Sequence, residues 1–91
     1  MVKELIVKIM DKAKAENDHD YVISRAKVRE DLRVSGELTE EADKALDDAG
    51  AFLLKLLNYP KTAEVFFAEK FETKSLEDYE KLFEEEFKKD A

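Results

Sequence analysis

Cysteine is absent from this chain, and its 91 residues include one histidine, one proline and two glycines. Without cysteine there is neither a disulfide nor a thiolate metal site, which fits a reducing compartment. Packing alone must therefore offset the entropy of ordering a chain that buries only roughly 60% of its unfolded surface. One histidine, three serines in cap or turn contexts and no glycine-rich phosphate loop leave little for catalysis. The expectation is a protein that is not an enzyme, with no catalytic residues, no cofactor and no metal. His19 between Asp18 and Asp20 reads as part of a solvated polar turn, because a structural metal site usually needs four convergent ligands.

Long apolar runs are missing too. Met1 to Val7 is interrupted at once by Lys8 and is too short for a signal-peptide core, which predicts a cytoplasmic, non-secreted protein. The most apolar stretch, Ala49 to Leu57, contains Lys55 and falls far short of the roughly 20 residues that span a bilayer, so no membrane insertion is expected.

What is present is charge. Twenty-three acidic against 16 basic side chains give a formal charge of −7, which repels phosphate backbones and makes nucleic acid an unfavourable partner. At 44% hydrophobic and 43% charged residues with so little glycine and proline, the composition is too apolar for disorder and suits a helical bundle.

Apolar periodicity agrees. Val2, Leu5, Ile6, Ile9, Met10 and Ala13 recur at helical spacing, and Asn17-Asp18-His19-Asp20 forms a polar turn behind them. Val22, Ala26, Val28 and Leu32 suggest a second helix, closed by Ser35-Gly36 because glycine accepts the left-handed conformation. Thr39 caps a third, with Glu40 and Glu41 at its positive end. Its apolar series runs from Leu38 to Leu57 and carries Gly50 at a cost of about 1 kcal/mol. Asn58-Tyr59-Pro60 stops it.

Residues 62–71 read two ways. Ala63, Phe66, Phe67 and Phe71 fit one helical face, whereas Val65, Phe67 and Phe71 fit one face of a strand; alanine, glutamate and lysine favour helix. In the last segment Ser75 and Asp78 make a capping box, followed by the stripe Leu76, Tyr79, Leu82, Phe83 and Phe87. The expected fold is a single all-α domain over 1–91, an antiparallel bundle of four to five helices. The alternative is an α+β winged helix whose hairpin covers about 51–71.

Three charge patterns are candidate sites. Arg25, Arg29 and Arg33 recur every four residues and form one guanidinium stripe suited to carboxylates or phosphates, or to pairing with the next helix. Glu37, Glu40, Glu41, Asp43, Asp47 and Asp48 crowd one segment with only Lys44 opposing them. That segment would be expelled from a major groove, which opposes a winged-helix DNA reader. The aromatics Tyr59, Phe66, Phe67, Phe71, Tyr79, Phe83 and Phe87 read as core, and any left exposed would mark an interface. The candidate protein interface is therefore Arg25, Arg29, Arg33, Glu40, Asp43, Asp47 and Asp48.

The amphipathic first helix, the third helix ending in Leu56-Leu57-Asn58-Tyr59, the aromatic segment and the closing Leu76-Glu77-Asp78-Tyr79-Glu80-Lys81-Leu82 together resemble a known family. The chain looks like the small immunity proteins that protect lactic-acid bacteria from their own pediocin- or enterocin-type bacteriocins. That resemblance implies a cytosolic, non-catalytic four-helix bundle acting at a membrane receptor–toxin complex. Two readings stand beside it. One is a small acidic inhibitor, such as a phage anti-defence or nucleic-acid-mimic protein, placed on a basic nucleic-acid enzyme. The other is a winged-helix transcriptional regulator. A homodimer is compatible with all three.

Overall fold

A computed structural model describes residues 1–17, 20–69, 71 and 74–90. Five helices account for nearly all of them: α1 (Val2–Ala15), α2 (Tyr21–Ser35), α3 (Glu40–Leu57), α4 (Pro60–Glu69) and α5 (Leu76–Asp90). The all-α class is the one observed, and no strand occurs among the described residues. The hairpin alternative is overturned, because residues 51–57 complete α3 and 60–69 form α4. Pro60 explains part of this. It ends α3 through its effect on Tyr59, and as the first residue of α4 it supplies a fixed helical φ where no N–H is needed.

By its internal contacts the chain divides into two compact units, residues 1–54 and 55–91. In the first, α1 packs on α2. The pairs Lys12–Asp31 and Glu16–Lys27 advance along one helix while retreating along the other, so the two run antiparallel. Leu5, Ile6, Ile9 and Ala13 make the buried stripe of α1, at the spacing the sequence predicts. Each fully buried isoleucine contributes roughly 2 kcal/mol relative to exposure.

The register of α2 differs from expectation. Its buried residues are Ser24, Val28 and Leu32, whereas Val22 and Ala26 lie exposed. Its ends follow sequence logic more closely. Asp20 accepts the Val22 and Ile23 N–H groups at 3.0 and 3.4 Å. Gly36, at φ 78°, closes the helix with two bonds, Gly36 N–H to the Arg33 carbonyl and Glu37 N–H to the Leu32 carbonyl. Thr39 Oγ1 accepts the Ala42 N–H at 3.0 Å, as its place before α3 predicts.

In the second unit the aromatics do build the interior. Phe66 lies 4.9 Å from Phe71 and 5.3 Å from Tyr79 between ring centroids, and Tyr59 lies 5.3 Å from Phe83. Phe71 stands beyond the end of α4 at φ 59° and is still buried. A left-handed phenylalanine costs on the order of 1 kcal/mol, and the ring contacts with Phe66 and Tyr79 offset it. Phe67 and Phe87, expected in the core, are 48% and 62% exposed.

The reason for the exposed Phe87 is its neighbour Glu86. Ser75 and Asp78 form the expected reciprocal cap, and α5 then buries Tyr79, Phe83 and Glu86, a stripe that ends on a carboxylate. Its oxygens accept the Lys61 N–H at 3.1 Å, the Thr62 N–H at 3.0 Å and the Thr62 hydroxyl at 2.9 Å. Tyr59, just before α4, has no short side-chain acceptor for those N–H groups, so α5 supplies one. A negative charge there also faces the positive end of the α4 dipole.

Burial pushes the Glu86 carboxyl up, but the three hydrogen bonds and the Lys61 charge outweigh it and hold the group below its ordinary 4.5. A lowered carboxyl contributes stability that is complete above the unfolded value and lost as pH falls through the folded one. Glu86→Gln, which keeps one acceptor, is therefore expected to melt roughly 5 °C below the parent at pH 7. Thermal melts between pH 7 and 3 should show that gap shrinking below about pH 4.5; a gap independent of pH would contradict the assignment.

Candidate functional site

The guanidinium stripe and the acidic segment meet each other. Arg25 Nη1 donates to Asp47 Oδ1 at 2.8 Å, and Arg29 Nε donates to Asp43 Oδ1 at 2.9 Å. Two pairs in opposite order also set α2 and α3 antiparallel. Arg33 is directed elsewhere, to Glu30 one turn back on its own helix, with Nε 2.9 Å from Oε2. Four of the seven candidate interface residues thus partner one another along one seam.

The seam is solvated. Side chains of Arg29 and Asp43 remain 53% and 45% exposed, so the pair contributes little stability on its own. It does bias ionisation: the hydrogen bond from Arg29 holds the Asp43 carboxyl below the usual carboxylate range, and the one from Arg33 does the same for Glu30.

Gly50 has a role beyond helix continuity. A Cβ added there would lie 2.7 Å from Arg25 Cδ and 3.2 Å from Nε. The glycine lets the arginine arm lie against the backbone of α3 on its way to Asp47. Sequence spacing reads the glycine as a helix penalty only; a glycine one turn beyond an aspartate was the available signal.

What the pairing leaves over is a different surface. Glu40 and Asp48 from the candidate set, together with Glu41, are exposed and make no ion pair among the described residues. A groove of ≈ 280 Å³ between α2 and α3 is lined by apolar Tyr21, Val22, Ala51 and Leu54 together with the Arg25–Asp47 pair. Val22 and Leu54 are 47% and 46% exposed. This volume lies just under the roughly 300 Å³ where small-molecule pockets begin, a size that admits one or two side chains.

Among the described residues no group of three or more His, Asp or Glu side chains is placed to hold a metal ion. Asp18 and His19 lie outside the described residues. No described helix is long and apolar enough to cross a membrane. Comparison of the chain with known protein families, curated proteins and solved structures returns no match.

The proximity of Arg25 to Gly50 makes their substitutions interdependent. In an Arg25→Ala background, Gly50→Ala should stabilise by about 1 kcal/mol, the ordinary helix-interior gain. In the parent the same change displaces the arginine arm and forfeits much of that gain. A double-mutant cycle by urea denaturation should give a coupling of about 0.5–1 kcal/mol, and strict additivity would mean that the arm does not rest on the glycine.

Proposed function

We propose that this protein is a non-catalytic binding module that recognises a protein with a basic surface. The observation that supports the reading most is what remains after the seam has neutralised itself. Glu40, Glu41 and Asp48 stand exposed without ion-pair partners, with Lys44 the one exposed cation among them, and elsewhere on α2 and α3 the apolar Val22 and Leu54 are half exposed. A net negative segment steers encounter, and half-exposed apolar side chains supply area to bury once contact is made.

The arrangement favours the acidic-inhibitor reading over the other two. Arg25 and Arg29, the residues best suited to grip phosphates or acidic peptides, already hold carboxylates. A formal charge of −7 opposes a nucleic-acid partner. The bacteriocin-immunity reading shares the same mechanism, protein recognition without catalysis, and differs in the partner, which would belong to a membrane receptor complex. Partner capture with mass spectrometry separates the two: a nuclease or polymerase supports inhibition, and a sugar-transporter membrane component supports immunity.

Charge reversal tests the surface itself. Replacing Glu40, Glu41 and Asp48 with lysine spares the seam but reverses the charge at the positive end of the α3 dipole, so helical content should hold while the melting temperature falls by roughly 5–10 °C. Association with the captured partner should slow about tenfold at low salt, and the difference should narrow as salt rises. Parent-like association would show that these carboxylates form only a solvated face. A mobility shift with duplex DNA that weakens steeply with salt would overturn the protein-partner reading.

A further inference from the structure

We infer that Glu86 is an acid-sensitive latch: when its carboxyl takes up a proton, α4 and α5 part and bare the aromatic interior of the second unit, while the α1–α2 pair stays closed. The placement of ionisable groups carries this. Glu86 is the one buried carboxylate among the described residues. It belongs to α5, and its three donors belong to α4. Oε1 accepts the Lys61 N–H, and Oε2 accepts the Thr62 N–H and hydroxyl. A proton on either oxygen meets a donor already pointed there, so protonation breaks at least one bond or turns the carboxyl away. A neutral acid also no longer complements the positive end of the α4 dipole. The charged side chains lining the hollow beside it are Lys61 from α4 and Glu85 from α5. Lys61 favours the ionised form; Glu85, of like sign, is exposed and screened by water.

The first unit holds no comparable group. Its buried residues are apolar apart from Ser24. The carboxylate side chains of its inter-helix ion pairs, Asp31, Asp43 and Asp47, are 64%, 45% and 72% exposed, so neutralising them forfeits little. Asp20 and Asp78 accept N–H groups at the starts of α2 and α5, but both are exposed. Water can take their place, and their loss frays one turn of one helix. Glu86 instead joins two helices, in a unit whose interior is built from the rings of Phe66, Phe71, Tyr79 and Phe83. Releasing it loosens one helix on the other, and those rings are what the opening uncovers.

Amide exchange of the full chain tests the order of opening. It is read by NMR at about 0.2 M salt, which screens the positive charge that grows in acid, with each amide normalised to its unfolded-chain rate. Between about pH 6 and about pH 3.5, protection of the α4 and α5 amides, Lys61 and Thr62 among them, should fall about tenfold or more. Protection of the α1 and α2 amides should change less than about threefold. Glu86→Gln should show the lowered α4–α5 protection already at the higher pH, with little further loss in acid. Thr62→Val removes one donor and keeps the shape. It should raise the pH at which the Glu86 carboxyl carbon titrates and, with it, the pH of opening. Glu85→Gln, at the exposed neighbouring position, should behave like the parent.

Equal loss of protection in both units, earlier loss in α1 and α2, α4–α5 protection unchanged over that range, or a Glu86→Gln protein that keeps the parent's pH dependence would each overturn the latch. Should Glu86→Gln fail to fold, Thr62→Val decides: opening that moves with the Glu86 titration supports the latch, and opening indifferent to it sinks the idea.

Discussion

Every helix begins with backbone N–H groups that no residue inside it can satisfy; α1 starts without a side-chain cap, whereas side chains accept such groups at the starts of the other four helices. How they do so sets most of the architecture. Asp20, Thr39 and Ser75 each sit just before a helix and cap it locally, so the starts of α2, α3 and α5 are decided within a few residues. The start of α4 is different. Tyr59 and Pro60 provide no cap, and the acceptor arrives from residue 86, some 25 positions away. That one carboxylate ties α5 to α4, turns the Tyr79–Phe83 stripe towards the interior and leaves Phe87 facing out.

The same economy governs charge. Opposite stripes on consecutive antiparallel helices find each other, because a four-residue repeat on one helix matches a four-residue repeat on the next: 25 with 47, and 29 with 43. Individually such exposed pairs are weak. Their larger effect is subtractive, since they engage Arg25 and Arg29 with Asp47 and Asp43 and leave Glu40, Glu41 and Asp48 unpaired, with Lys44 as the one exposed cation among them. That net acidity carries the proposed preference for basic partners.

Much of this could be read from residue order. Four of the helices, the glycine and serine–threonine boundaries, the α1 stripe and the capping box of α5 all depend on neighbours within one or two turns, and local chemistry decides them, whereas residues 62–71 stayed open between helix and strand. The pairing of the arginine stripe with the next helix was one of two uses the spacing allowed. Its acidic counterpart was visible as a cluster, although not which members would pair and which would remain free. The register of α2 was misread, because Val22 and Ala26 are apolar enough to pass for core while Ser24 is small enough to occupy it.

By itself the sequence favoured an all-α chain and marked the boundaries of α1, α2, α3 and α5 and a strongly acidic balance, since all of these follow from composition and from contacts along a single helix. Only the tertiary structure decided that Glu86 belongs to α4, that Gly50 makes room for Arg25, and that Val22 and Leu54 share a groove. Each of those facts joins residues more than 20 positions apart, and neither periodicity nor propensity carries information about which distant backbone N–H, α-carbon or side chain a given residue will meet.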